Sequence, residues 1–112
     1  MQRGEVWTLR DEIYASKSRP VVVMQSEIGD VFDSIVLCLF TTHEPDSLPL
    51  RVRIDPTVEN GLKATSYVMV DKIASADRQE LGELIGVLTD TQMHEINRQL
   101  VKLLNISSED ID

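Results

Sequence analysis

The chain carries one cysteine, Cys38, in 112 residues. That scarcity excludes an intrachain disulfide framework and a multi-cysteine zinc site. Cys38 lies inside the apolar stretch from Ile35 to Phe40, where a small buried hydrophobe is expected. No apolar run approaches the roughly 20 residues that span a bilayer, and no signal core follows Met1-Gln2-Arg3-Gly4-Glu5. A cytoplasmic protein without a membrane partner is therefore expected. Positive charge is also scarce, with 11 basic against 19 acidic residues and a net charge of −8. This argues against broad electrostatic capture of nucleic acid, which rests on basic surface. There is no internal repeat, linker or low-complexity tract.

What is present reads as one domain, residues 1–106, large enough to bury about two-thirds of its unfolded surface, followed by an acidic tail, 107–112, expected to be disordered. Gly4 to Leu9 alternates as a half-buried strand, and Pro20 to Gln25 and Ile35 to Thr41 are continuous enough for strands covered on both faces. Arg51 to Ile54, Tyr67 to Val70 and Leu84 to Leu88 complete the strand signals. Asp55-Pro56 and Asn60-Gly61 mark turns. Thr89 with Gln92 forms a capping-box signature ahead of Met93, Ile96, Leu100, Leu103 and Leu104, the spacing of an amphipathic helix. The fold class is mainly β with a C-terminal helix (α+β), a small antiparallel barrel or bent sheet with the helix packed on it. The lone tryptophan, Trp7, is expected in the core or a dimer interface.

Arg19-Pro20 heads one buried strand and Thr41-Thr42 ends the other. An arginine fork matches phosphate in shape and charge, and a threonine hydroxyl donates to a phosphoryl oxygen. Such a pair calls for no metal and no cofactor. The acids cluster in the tail and between Asp71 and Glu83, whereas Arg10, Lys17, Arg19, Arg51 and Arg53 lie in the first half and can form a local basic patch.

Read in order, Arg3-Gly4-Glu5-Val6-Trp7, Arg19-Pro20-Val21-Val22-Val23, Leu39-Phe40-Thr41-Thr42, Asn60-Gly61-Leu62, Ser66 to Ile73, and Leu81-Gly82 leading to Ile85-Gly86-Val87-Leu88 resemble the MazF/PemK toxins over about residues 3 to 104. The resemblance implies a strongly bent antiparallel β-barrel of the CcdB/PemK type that forms a homodimer. It implies a metal-independent, sequence-selective endoribonuclease toxin acting on single-stranded RNA, inhibiting translation, with a cognate antitoxin whose extended or helical tail occupies the RNA groove. It places catalysis on Arg19 and Thr41. The alternatives are a CcdB-like gyrase poison, disfavoured because the chain ends in Glu109-Asp110-Ile111-Asp112 and not in the Trp-Gly-Ile end of that type, or a catalytically weak member that acts only by binding.

The expected chemistry is attack of the RNA 2′-hydroxyl on the adjacent phosphate, leaving 2′,3′-cyclic phosphate and 5′-hydroxyl ends. In the family, the loop before the arginine carries a glutamate five positions ahead; Tyr14 stands there in this chain, and Arg10 to Ser18 holds no glycine. The base therefore stays open among Asp11, Glu12 and His43, whose imidazole suits proton transfer and which is named as the third catalytic candidate. Tyr14, Lys17, Thr42, Arg51 and Arg53 are the RNA-binding candidates, with pairing to acids an equal alternative for the two β-strand arginines. So few cations predict few phosphate contacts. The rate of RNA cleavage should then fall with salt at a shallow log–log slope, about −0.7 per phosphate neutralised; a steep slope would contradict it.

Overall fold

The computed structural model describes residues 1–10, 19–45, 50–107 and 109. Six strands and one α-helix follow the chain as β1 (Glu5–Leu9), β2 (Arg19–Val23), β3 (Ser34–Thr41), β4 (Arg51–Ile54), β5 (Ser66–Asp77), β6 (Leu81–Val87) and α1 (Asp90–Leu104). All neighbouring strands run antiparallel in one sheet of order β4-β5-β3-β2-β1-β6. The expected acidic-tail disorder concerns residues that lie largely outside those described. No helix among the described residues is long and apolar enough to cross a membrane.

Of the expected barrel or bent sheet, the mainly antiparallel sheet with its C-terminal helix is present. The edge strands β4 and β6 do not pair, so the sheet is open. The connection between β4 and β5 bridges the gap instead. The Val87 N–H donates to the Glu59 carbonyl at 2.9 Å, and Asn60-Gly61 lies directly on Ile85-Gly86. A Cβ on Gly61 would strike the Ile85 carbonyl, and one on Gly86 would strike the backbone of Asn60. Gly61 also has φ +70, a conformation that costs a glycine little. Asn60 is buried, yet its amide is well used. Its Oδ1 accepts from the Thr57 and Leu62 N–H groups at 3.0 Å each, and its Nδ2 donates to the Asp55 carbonyl at 2.9 Å. A buried side-chain amide satisfied in this way makes an irregular loop rigid.

Strand alternation separates two apolar groups. Val6, Val22, Cys38, Phe40, Val68 and Val70 face inward with Met93 and Ile96 of the helix. Val21, Val23, Ile35 and Leu37 face the other way, against Trp7, Leu9, Leu39 and Leu81. β2 is thus covered on both faces, as its unbroken apolar run requires. Burial pushes the Cys38 thiol up to about 11, so it stays a protonated small hydrophobe at neutral pH.

The β5 strand is much longer than the expected Tyr67 to Val70. Beyond Val70 it pairs with the first half of β3, after a register shift between Cys38 and Phe40. Asp71 to Asp77 has little β propensity of its own, and pairing with β3 makes it a strand. The helix begins as expected. The Thr89 hydroxyl accepts from the Gln92 N–H at 3.1 Å, and the Gln92 side chain accepts from the Thr89 N–H at 2.9 Å. Arg3 ties it to the sheet, donating to the Met24 carbonyl at 2.7 Å and to Asn97. Met93 and Ile96 are buried and Leu100 packs on them, whereas Leu103 and Leu104 remain exposed. The apolar stripe outruns the sheet it covers.

Gly86→Ala should lower the unfolding free energy by about 3 kcal/mol, because the new methyl meets backbone that the Asn60 bonds hold in place. Urea denaturation followed by circular dichroism checks this; a midpoint equal to wild type would mean that the loop yields.

Candidate active site on the sheet rim

The Arg19-Pro20 step opens β2 because proline, lacking an N–H, is tolerated at a strand start. The pairing between β2 and β3 sets Val21 opposite Leu39, Val22 opposite Cys38 and Val23 opposite Leu37. Continued by two residues, this register puts Arg19 opposite Thr41. Thr41 in turn pairs with Tyr67 of β5, and Tyr67 with Arg53 of β4. Directly opposed residues share a face, with strands about 4.8 Å apart. Thr41, Tyr67 and Arg53 therefore form one row across β3, β5 and β4, and the extended β2–β3 register sets Arg19 in line with it. Arg19 is exposed and Thr41 half-buried.

The row is polar and locally preorganised. The His43 N–H donates to the Thr41 Oγ1 at 3.2 Å. That bond occupies an acceptor site of the hydroxyl and leaves its proton for an incoming oxygen. The His43 side chain is exposed just past the strand end. Thr42, one residue on from Thr41, lines a cleft with Thr8 and Pro20.

The two arginines of β4 are already engaged. Arg51 pairs with Asp71 of the neighbouring β5, with its side chain only 12% exposed. Arg53 Nε donates to Asp55 Oδ1 at 3.1 Å. The Asp55 bond, then the charges of Asp55, Tyr67 and Glu44, raise the Arg53 pKa still further. Of the sequence candidates, Thr41 and Arg53 share a row through Tyr67, with Thr42 and His43 next to Thr41 in the chain, Arg19 opens the adjoining β2, and Arg51 pairs with Asp71. Tyr14 and Lys17 lie outside the described residues.

Tyr67 was missed by sequence reasoning. The only available signal was its alternation with Val68 in a strand, and strand pairing cannot be read from that. Lys63 and Glu83, which line the same cleft as Thr42, were missed because they reach it from a loop and from the far edge strand.

One antiparallel sheet with a single C-terminal helix packed on its inner face defines the class of fold: mainly β, with the helix last in the chain. Residues 2–104 match the model of the PemK-like, MazF-like toxin of type II toxin–antitoxin systems. The chain belongs to this family. It is 35% identical over 108 residues to a probable endoribonuclease MazF of Mycolicibacterium smegmatis, covering 96% of this chain and 99% of that protein. It is 31% identical over 84 residues to the endoribonuclease EndoA of Bacillus subtilis, covering 73% and 72%. Among solved structures, a mycobacterial endoribonuclease in complex with its cognate antitoxin superposes with a TM-score of 0.79 at 24% identity, covering 96% of this chain and 97% of that one. A MazE–MazF structure from Deinococcus radiodurans gives 0.78 at 19% identity, covering 96% and 97%. These last two speak to the fold.

The two β4 arginines should separate in a stability measurement. Arg51→Ala strands Asp71 on a partly buried surface and should cost roughly 2 kcal/mol. Arg53→Ala, at an exposed pair, should leave the denaturation midpoint in place. Equal effects would contradict the assignment of the two pairs.

Proposed function

We propose that this chain is the ribonuclease toxin of a toxin–antitoxin pair, cleaving single-stranded RNA with Arg19 and Thr41. The observation that supports the reading is the β2–β3 register, whose last pair sets Val21 opposite Leu39 and which, extended by two residues, brings Arg19 level with Thr41. The relatives named endoribonuclease support it.

In this reading the phosphate lies over the row. The RNA 2′-oxygen attacks the adjacent phosphorus; the new O2′–P bond forms as the P–O5′ bond breaks, giving a 2′,3′-cyclic phosphate and a 5′-hydroxyl. The 2′-hydroxyl proton passes to a base, and the leaving O5′ takes a proton from the conjugate acid of that base or from water. Negative charge grows on the non-bridging oxygens in the transition state, so fixed donors placed there act on the barrier. Arg19 clamps those oxygens, and its guanidinium stays protonated throughout. The Thr41 hydroxyl adds a donor, oriented by the His43 N–H. The His43 imidazole, exposed two residues past Thr41, takes the role of base. Tyr67 supplies a second hydroxyl in the row. Thr42, and Tyr14, Lys17, Arg51 and Arg53 from the sequence reading, remain candidates for RNA contact, with Arg51 and Arg53 the weaker ones because each already holds an acid.

The partners are a cognate antitoxin and a second copy of the chain. A MazF-type relative was solved bound to its antitoxin. The exposed apolar end of α1, Val101, Leu103 and Leu104, offers surface for such contacts.

The test is incubation of the purified protein with a long single-stranded RNA in EDTA at low salt, beside Arg19→Ala and Thr41→Val. Wild type should cut at a limited set of sites and leave cyclic phosphate ends. Each variant should lose on the order of a hundredfold in rate at an unchanged melting temperature. Intact RNA with wild type, or undiminished cutting by Arg19→Ala, would reject the proposal.

A further inference from the structure

Behind the row, on the helix side of the sheet, the rim opens into a cleft of about 440 Å³. Pro20 and Thr42, the chain neighbours of Arg19 and Thr41, form its lip. Leu62 and Ile85 give it apolar walls, and the exposed Lys63 and Glu83 stand in its lining. Pockets of this size take small organic groups between apolar walls, with a few polar atoms fixing their orientation.

The two charged residues stand on anchored backbone. The Glu83 N–H donates to the Thr8 Oγ1 at 2.9 Å, and Gly82 presses so closely on that hydroxyl that a Cβ would collide with it. Lys63 follows Leu62, whose N–H is held by the buried Asn60 side chain at 3.0 Å. Neither charge is consumed. The ion pairs of the described residues join Arg51 with Asp71, Arg53 with Asp55, Arg78 and the Met1 ammonium with Asp30, and Arg98 with Glu95, and none of them uses Lys63 or Glu83.

We propose that this cleft is a specificity pocket for a guanine base of a strand that passes over the rim from the phosphate held by Arg19 and Thr41; this rests on the ribonuclease reading. Single-stranded RNA presents unstacked bases whose Watson–Crick edges can be read directly. A carboxylate only accepts hydrogen bonds and an ammonium only donates them. The guanine edge offers two adjacent donors, N1–H and the N2 amino group, followed by the O6 acceptor. Glu83 takes the two donors together and Lys63 takes O6. Adenine and cytosine offer the carboxylate a single amino group beside a ring nitrogen that repels it. Uracil sets its one N–H between two carbonyls. The chain's acidic surface does not oppose this mode of selection, because reading a base edge draws on local complementarity, and phosphate capture on net charge.

Two experiments test it. In the first, a pooled single-stranded RNA is cut and the sites mapped to the nucleotide, with rates at guanine- and adenine-flanked sites compared within one tube. Wild type should favour guanine at one fixed position beside the cut. Glu83→Gln should lower the guanine-to-adenine ratio roughly tenfold, because an amide pairs with the donor–acceptor edge of adenine. Lys63→Met should lower it as well. A gain for adenine is not something that misfolding produces. In the second, guanosine and adenosine monophosphates are titrated into the wild-type protein and backbone amides followed by NMR. Guanosine monophosphate should shift Thr42, Lys63 and Glu83 more than its adenosine counterpart. RNA cut without a fixed guanine, or a ratio unmoved in Glu83→Gln, overturns the pocket and leaves the ribonuclease reading standing. Uncut RNA with guanosine-specific shifts keeps the pocket as a guanine site and overturns the ribonuclease. Uncut RNA without such shifts overturns both.

Discussion

The edge strands of this sheet never meet, so the curl around the core depends on one close backbone approach, Asn60-Gly61 against Ile85-Gly86. Two glycines allow it, and the Val87 to Glu59 hydrogen bond secures it. Val6, Val22, Cys38, Val52, Ile54, Val68 and Val70 are buried together with Leu62 from this loop and Met93 and Ile96 from the helix. Sheet edges exposed to solvent invite pairing with other chains; a loop across the gap shortens that exposure without adding ladder bonds. The same approach shapes the cleft beside the rim, since Leu62 and Lys63 continue directly from the glycine that makes the contact.

Alternation along β2 and β3 then divides the labour. Residues of one parity fill the helix-side core, and those of the other, Val21 and Val23, fill the second apolar group. At the strand ends, where apolar cover stops, the same parity delivers Arg19 and Thr41 to one face and Pro20 and Thr42 to the other. A phosphate-type row and a cleft therefore sit back to back on a single rim. Two continuous apolar strands hold them, a rigid footing for the catalytic role proposed for Arg19 and Thr41.

Electrostatics narrows the candidates further. With a net charge of −8, the molecule keeps several of its cations in internal pairs, and the β4 arginines are among them. Binding to a polyanion must then come from a few well-placed groups. In the proposed reading, Arg19 is singled out by its place at the start of the buried strand β2 more than by its charge.

The positions of β1, β3, β4 and the helix were legible from apolar periodicity, turn residues and the capping pair, because those signals are local. Arg19 and Thr41 stood out as strand-end residues, and the family resemblance gave them roles. The second half of β5 was not legible, since Asp71 to Asp77 becomes a strand only by pairing with β3 after a register shift. Nor were Tyr67, Lys63 and Glu83, whose places depend on which strands adjoin and where a loop crosses. The sequence by itself determined the strand-forming segments, the buried cysteine, the capped helix and the acidic balance, each a property of neighbouring residues or of composition. Only the tertiary structure decided that the sheet stays open, that Arg51 belongs to Asp71, and that the row and the cleft share a rim. Those are contacts between residues distant in the chain, and they are set by strand register and backbone packing, which no local pattern encodes.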